Sequence, residues 1–167
     1  MKTAALASLL VLACTACGAR ESTDMASRTQ PASAPESTVY QGLDITTIAS
    51  GLEHPWGLAF LPDGRMLVTE RPGRLRIVAA DGAVSAPVAG VPAVFGKGQG
   101  GLLDVAIDPD FASDPWVYLS FSEPGEGGGG TAVARGRLAG GTLTDVAVIF
   151  RQEPKLDAGQ HFGSRLV

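Results

Sequence analysis

A repeat with a spacing of 47 residues constrains the fold of this chain more than any other feature. Ala59–Asp63 and Ala106–Asp110 share Ala, an apolar residue, Pro and Asp in register, 47 residues apart. A short apolar run follows each Pro-Asp turn, Met66–Thr69 in the first copy and Val117–Ser120 in the second. Apolar runs of this length between turn residues are typical of half-buried strands, so each copy predicts a strand, a turn and a second strand.

Strand units repeated about every 40 to 50 residues predict an all-β fold, the β-propeller, in which four-stranded blades close into a ring. We interpret Leu43–Ala49 as an N-terminal strand, residues 56–78 as a three-strand meander and residues 103–138 as a second meander. Glu123–Gly130, inside the second meander, is rich in glycine and predicts a mobile surface loop. Gly163–Val167 predicts the opening of a further strand.

The length of 167 residues is short for such a ring. Four blades of this repeat would need about 188 residues before any additional loops. We therefore expect the N-terminal part of a longer protein, with about two blades and the start of a third. A self-sufficient small β-sandwich, in which the repeat is a coincidence, stays open on length alone and predicts a closed core.

The first residues are typical of an export signal. Lys2 precedes the apolar run Ala4–Ala13, which is too short to span a bilayer. Both cysteines of the chain, Cys14 and Cys17, follow this run, as in bacterial lipoprotein signals whose cysteine is lipidated after cleavage. Cys14 fits that pattern better than Cys17. An ordinary cleaved signal with incidental cysteines is the alternative, and a disulfide is disfavoured because no other cysteine exists.

Three regions of the chain follow from these patterns. Residues 1–17 are interpreted as the export or lipoprotein signal, which predicts a periplasmic or cell-envelope protein held at the membrane by a lipid anchor. Residues 18–42 contain mainly Ser, Thr, Ala, Pro and scattered charge, and predict a flexible tether. Residues 43–167 are the propeller part. The net charge of −4 provides no dense basic face, so nucleic acid is not an expected partner.

Two histidines are the first candidates for chemistry. His54 precedes a Pro-Trp pair, and we interpret it as a turn residue or as a ring stacked on Trp56 rather than as a catalyst. His161 lies in a polar, glycine-containing loop, where the residues alone favour a structural or exposed role over catalysis. The sequence has no His-Glu-x-x-His zinc motif and no Gly-x-Ser-x-Gly elbow, and Gly127–Gly130 lacks the Lys-Ser/Thr of a phosphate-binding loop.

Three separated motifs resemble one family. Gly51–Gly64, Gly98–Asp104 and Gln160–Val167 are similar, in order and content, to the N-terminal portion of the soluble quinoprotein glucose and aldose sugar dehydrogenases. This family is also called the glucose/sorbosone dehydrogenases. The resemblance covers about residues 43 to 167, and Phe150–Leu156 is similar to the aldose sugar dehydrogenase branch in particular.

The resemblance implies a six-bladed β-propeller that binds pyrroloquinoline quinone, with calcium holding the quinone. It implies oxidation of the anomeric C1 of aldose sugars to lactones, with His161 as general base, the quinone as hydride acceptor and an external electron acceptor. Gln99 and Gln160 match positions that line the sugar site. Relatives that oxidise glucose carry Asp at the position of Gln160, so glucose itself is not specified.

The 167-residue chain is not expected to contain a complete active site. In the family most quinone and calcium ligands come from later blades, so we expect no metal ligand in this portion and no activity from it alone. Gln99 has an alternative role as a polar residue that closes the Gly-rich turn, and Arg165 is expected to make a structural salt bridge or a turn contact. The alternative function is a non-enzymatic propeller that binds carbohydrate or protein at the cell surface.

Overall fold

Two antiparallel sheets make up the described part of the chain, which in this computed structural model is Gly42 and residues 44–167. The strands are β1 (Pro55–Phe60), β2 (Met66–Glu70) and β3 (Arg74–Val78) in the first sheet, and β4 (Leu102–Ile107), β5 (Trp116–Gly125), β6 (Gly128–Ala139) and β7 (Thr142–Arg151) in the second. Within residues 44–167 no helix forms, and so none could cross a membrane. The all-β prediction is confirmed. The predicted signal with Cys14 and Cys17, and the predicted tether except Gly42, lie outside the described residues.

The first sheet is built by the Pro-Asp turn that the repeat contains. Gly64 has a φ of 86°, a backbone conformation that costs glycine little, and its N–H donates to the Leu61 carbonyl at 3.0 Å. The turn sets the register in which Phe60 faces Met66. Ser85 and the residues after it then run beside β3 without forming a full strand. The meander predicted over residues 56–78 is confirmed.

The second sheet is a complete four-strand meander, and it corrects two predictions. Glu123–Gly130 is not a mobile loop, because β5 and β6 remain paired as far as Gly125 and Gly128. The glycines permit this hairpin: Gly128 has a φ of 139°, and a Cβ there would lie 2.2 Å from the Leu156 carbonyl oxygen. Thr142–Arg151, which sequence analysis left without a strand, forms β7 at the edge of the sheet.

The core lies within each sheet and between them. Its fully buried members include apolar residues from β2, β3, β4 and β5: Leu67, Leu75, Leu102, Val117, Leu119 and Phe121. The two sheets meet through β1 and β2 on one side and β4 on the other. The repeated Ala-x-x-Pro-Asp segments lie at the same end of β1 and β4. These are two adjacent propeller blades, and the small β-sandwich is not formed.

The predicted strands at both ends of the propeller part are absent. Residues 44–50 form no strand, and Ile45 and Ile48 are 75% and 55% exposed. Residues 163–167 also form no strand. A strand is defined by hydrogen bonds to a neighbouring strand, and within the described residues neither segment pairs with any of the seven strands.

A buried hydroxyl connects the first blade to the second. The Thr69 hydroxyl, on β2, accepts the Gly57 backbone N–H at 2.7 Å and donates to the Leu103 carbonyl at 2.5 Å. It therefore joins the innermost strand of its own blade to the innermost strand of the next. Gly57 has no room for a side chain, because a Cβ there would lie 2.8 Å from the same Leu103 oxygen.

The second blade repeats this link at the same position of the repeat. Ser120 corresponds to Thr69, and its hydroxyl accepts the Asp104 backbone N–H at 2.9 Å. It donates to the Ser164 carbonyl at 2.6 Å. The Ser164 carbonyl thus accepts a hydrogen bond from the second blade as the Leu103 carbonyl does from the first. The chain at Ser164 therefore occupies the place where the innermost strand of a third blade would begin.

Candidate active site

The structure brings together the two residues predicted to lie closest to the chemistry. Gln99 precedes β4, and His161 follows β7 by ten residues. The side-chain oxygen of Gln99 accepts the His161 backbone N–H at 3.0 Å, and the Gln99 backbone N–H donates to the Gly159 carbonyl at 2.7 Å. Both side chains are exposed, so a ligand can reach them. Gln99 therefore touches the histidine segment directly.

Glycines in the turn before β4 make this approach possible. Gly98 has a φ of 60°, and a Cβ on it would lie 2.2 Å from the Gly159 carbonyl oxygen. Gly101 has a φ of 144°, and a Cβ there would lie 2.0 Å from the Arg71 carbonyl oxygen. A side chain at Gly98 would push the turn away from the loop that carries His161, and one at Gly101 would push it away from Arg71, so the Gly-rich motif is a packing requirement of the site.

An ion pair closes the outer side of the same turn. The Lys97 ammonium group lies 2.6 Å from an oxygen of the Asp157 carboxylate. The hydrogen bond from Lys97, followed by its positive charge, lowers the pKa of the Asp157 carboxyl below its ordinary value. Both side chains are largely exposed, so this pair contributes little stability and is screened by salt.

Three side chains of the second blade hold the residues that follow His161. The Thr131 hydroxyl donates to the Phe162 carbonyl at 2.7 Å. The Asp104 carboxylate accepts the Leu166 backbone N–H at 2.8 Å, and the Ser120 hydroxyl binds between these two points. Phe162 is 6% exposed and lies edge-on to a second phenylalanine ring, with centroids 6.2 Å apart. The backbone after His161 is therefore fixed at alternate residues.

His161 itself adopts an unusual backbone conformation. Its φ of 64° lies in the left-handed region, which residues with a Cβ rarely occupy. Such conformations persist where surrounding contacts over-determine the backbone, and they are concentrated at functional sites. Here the contacts are the Gln99 hydrogen bond on one side and the Phe162 anchor on the other.

A small pocket of about 140 Å³ lies beside this segment. Gln160 and His161 line it together with Gly129, Gln152, Leu156, Ala158 and Phe162. Pockets that enclose a cofactor or drug-sized ligand usually measure about 300 to 1,000 Å³. The described residues therefore line a pocket that is too small to enclose such a ligand by itself.

The other predicted residues have separate places. His54 lies just before β1, and its carbonyl accepts the Arg71 backbone N–H at 3.0 Å, which fits the interpretation as a turn residue. It lines a different pocket from His161. Arg165 lies 3.6 Å from the Asp104 carboxylate, so the predicted salt bridge is present, although its side chain is 79% exposed.

Sequence reasoning missed Asp104 and Thr131. Asp104 stands inside the Gly98–Asp104 motif but is 4% exposed, as expected of a core residue rather than of a site residue. Its contact with Leu166 spans 62 residues of sequence. Within residues 44–167 no group of three or more His, Cys, Asp or Glu side chains could hold a metal, so no calcium ligand is assigned to them.

The imidazole of His161 is the group in this arrangement best suited to accept a proton, since one nitrogen of a neutral imidazole is an acceptor. The amides of Gln99 and Gln160 can each donate to and accept from hydroxyl groups. An exposed base beside two amides suits a polyhydroxylated ligand. The described residues hold no second ionisable base at this pocket.

Comparison with known proteins finds one family for this chain. Residues 52–167 match the family described as Glucose / Sorbosone dehydrogenase. The aldose sugar dehydrogenase YliI of Escherichia coli K12 is 50% identical over 129 residues, which are 75% of this chain and 35% of that protein.

Solved structures agree. The apo-form of the soluble aldose sugar dehydrogenase of Escherichia coli has 51% identity and a TM-score of 0.70 over 73% of this chain and 36% of that chain. The pyrroloquinoline quinone-bound form of the aldose sugar dehydrogenase of Streptomyces coelicolor has 35% identity and a TM-score of 0.61, over 72% and 36%. This chain thus spans about a third of the length of these relatives. The resemblance predicted from three motifs is confirmed, and the chain belongs to the glucose/sorbosone dehydrogenase family.

Proposed function

We propose that the protein containing this chain oxidises the anomeric C1 of aldose sugars to lactones, with pyrroloquinoline quinone as hydride acceptor and His161 as general base. The observation that carries the proposal is the contact between the Gln99 side chain and the backbone of His161, because His161 lines a pocket together with Gln160. The relative from Streptomyces coelicolor, whose structure holds pyrroloquinoline quinone, supports the choice of cofactor.

The residues of this chain act on the sugar. The amide groups of Gln99 and Gln160 bind sugar hydroxyls and orient C1 toward the acceptor. His161 removes the proton of the C1 hydroxyl as the C1 hydrogen leaves with its electron pair, so that the C–O single bond becomes the lactone carbonyl. Pyrroloquinoline quinone, when bound, supplies the acceptor for that hydride. An external electron acceptor then reoxidises the enzyme.

Several features complete the proposal. Calcium belongs to it through the family resemblance, and its ligands are expected mostly from later blades. The signal of residues 1–17 directs the protein to the periplasm or cell envelope of a bacterium, with Cys14, or else Cys17, carrying a lipid anchor. Replacement of Cys14 by Ala should then abolish labelling by a fatty-acid probe, whereas the Cys17→Ala variant retains it. Labelling lost only with Cys17→Ala would assign the anchor to Cys17.

The catalytic proposal is tested by dye reduction with a panel of aldoses, in the presence of pyrroloquinoline quinone and calcium. The 167-residue chain and the complete product of its gene are assayed side by side. We expect aldose-dependent dye reduction from the complete product and none from the 167-residue chain. His161→Ala should lower kcat by about 10² to 10⁴ fold, the usual contribution of a general base.

His54→Ala is the matched control, because this histidine lies at the same end of the blades but in another pocket. It should retain activity within about twofold, a change too small to indicate a lost proton acceptor. A complete product that neither binds the quinone nor reduces dye with any aldose would overturn the proposal. Carbohydrate or protein binding at the cell surface would then be the function to pursue.

A further inference from the structure

We propose that Gln99 is a positioning residue for His161, acting through its side-chain carbonyl on the His161 backbone, while its NH₂ group stays free for the ligand. The proposal concerns the same site as the sugar dehydrogenase function, and its catalytic meaning rests on that function. Its structural part stands separately and can be measured without turnover.

The orientation of the Gln99 amide follows from its partner. A backbone N–H is a donor only, so the atom that lies 3.0 Å from the His161 nitrogen must be the amide oxygen. The NH₂ group therefore points away from the histidine backbone. Among residues 44–167 this NH₂ group has no hydrogen-bond partner, and the Gln99 side chain is exposed.

Gln99 spans the short segment before His161 with two hydrogen bonds of opposite direction. Its backbone N–H donates to the Gly159 carbonyl at 2.7 Å, and its side-chain oxygen accepts from His161 at 3.0 Å. The bonds enclose Gln160, which lines the pocket. One residue thus fixes both ends of the segment that carries the two other predicted site residues.

The backbone after His161 does not depend on Gln99. Thr131 holds Phe162, Ser120 holds Ser164 and Asp104 holds Leu166, all through side chains of the second blade. Before His161, the Lys97–Asp157 pair is exposed and lies four residues away in sequence. Gln99 is the one described side chain that bonds the His161 backbone itself. Of the contacts on either side of the left-handed His161, this bond is therefore the one made to its own N–H.

Amide hydrogen exchange of His161, followed by NMR on the full 167-residue chain, tests this bond. Gln99→Met keeps the length of the side chain and removes its oxygen, whereas Gln99→Glu keeps an oxygen acceptor and removes the NH₂ group. We expect Gln99→Met to lower the His161 protection factor by about five- to tenfold, the loss typical of one exposed hydrogen bond. Gln99→Glu should retain protection within about twofold.

Gln160→Met is the matched control for exchange, because Gln160 adjoins His161 but makes no hydrogen bond to its backbone among the described contacts. It should leave the protection factor of His161 unchanged. The positioning role is overturned if Gln99→Met leaves exchange unchanged, or if Gln99→Glu loses as much protection as Gln99→Met.

The complete gene product separates positioning from sugar binding. With an intact positioning bond but no NH₂ donor, Gln99→Glu should raise KM for the aldose while kcat stays within about threefold. Gln99→Met loses both functions and should also lower kcat by about tenfold or more. Equal loss of kcat in both variants would overturn the catalytic part. If the wild-type product shows no aldose oxidation, the function fails, while the exchange result still decides the structural part.

Discussion

The innermost strands of the two blades occupy the same position of the repeat but have opposite surroundings. Leu58 in β1 is 48% exposed, whereas the corresponding Val105 in β4 is 4% exposed. Trp56 is 53% exposed and its counterpart Leu103 is 1% exposed. β4 is covered because β1 and β2 pack against it, whereas β1 borders an open apolar groove. A blade therefore buries its innermost strand only through its neighbour.

A second difference between the blades lies at the position that follows Thr69 in the first blade and Ser120 in the second. Phe121 fills a fully buried position of the second blade with an aromatic ring, and Glu70 fills the corresponding position of the first with a carboxylate. Arg74 and Arg76 each lie 2.7 Å from this carboxylate. Burial alone raises the pKa of Glu70, but the two arginine hydrogen bonds and the Glu53 backbone N–H outweigh it and lower the pKa to about 2.

The largest expected effect tests the difference in burial. Leu103→Ala should lower the free energy of unfolding by about 2 to 5 kcal/mol, because it leaves a cavity in the covered strand. Leu58→Ala, which removes the same atoms from the exposed strand, should cost under about 1 kcal/mol. Urea unfolding of the 167-residue chain measures both. Equal costs would mean that the β1 face is covered in solution, for example by another molecule.

The buried carboxylate provides the next largest effect. Glu70→Gln should lower the free energy of unfolding by about 2 to 3 kcal/mol, because Arg76 loses its charged partner and Arg74 loses the buried one of its two. Glu53 also pairs with Arg74 but is 57% exposed, and Glu53→Gln should cost under about 1 kcal/mol. Thermal or urea unfolding at pH 7 gives both values. A Glu70→Gln variant as stable as wild type would show that the cluster is energetically neutral.

The same carboxylate predicts how stability depends on pH. Its folded-state pKa of about 2 lies below the ordinary value of 4.5. The stabilisation is therefore complete above about pH 5 and is lost as the pH falls toward 2, where the folded state must also take up the proton. The difference in unfolding free energy between wild type and Glu70→Gln should shrink steadily over that range. A difference that stays constant from pH 6 to pH 3 would contradict the assignment.

The two hydroxyl links give the smallest expected effect and test how alike the blades are. Thr69→Val keeps the shape of the side chain and removes its hydroxyl, leaving the buried Leu103 carbonyl without this donor. We expect a cost of about 1 to 2 kcal/mol, and a similar cost for Ser120→Ala. Urea unfolding again provides the measurement. A negligible cost at Ser120 alone would mean that the segment at Ser164 is docked less firmly than β4.

Much of this fold could be predicted from the sequence, because most of its strands are apolar and its turns contain Pro, Asp and Gly. β1 to β3 were predicted from these signals, as were β4 and the parts of β5 and β6 outside Glu123–Gly130. β7 was missed because most of its residues are exposed, so it lacks the alternation of a half-buried strand. The Glu123–Gly130 hairpin was missed because glycines are common both in flexible loops and where two backbone segments pack closely. Only the segments that pack against it, such as the one at Leu156, distinguish the two cases.

Less of the candidate site than of the fold could be predicted from the sequence. The family resemblance indicated His161 and Gln99, but no local pattern predicts that their contact runs from a side chain to a backbone N–H 62 residues away. The same holds for Asp104 and Thr131, which act on the histidine segment across long stretches of sequence. Residue type can indicate which groups could react, whereas the supporting contacts depend on how the blades pack.

The buried hydroxyl links have a consequence for how the protein is made. Thr69 reaches forward to Leu103, and Ser120 reaches forward to Ser164, so each link needs only the blade already synthesised and the first residues of the next. A chain emerging from the ribosome can therefore dock each innermost segment as it appears. Such vectorial assembly, from the N-terminus onward, would shelter each apolar blade face soon after synthesis and shorten its exposure to aggregation.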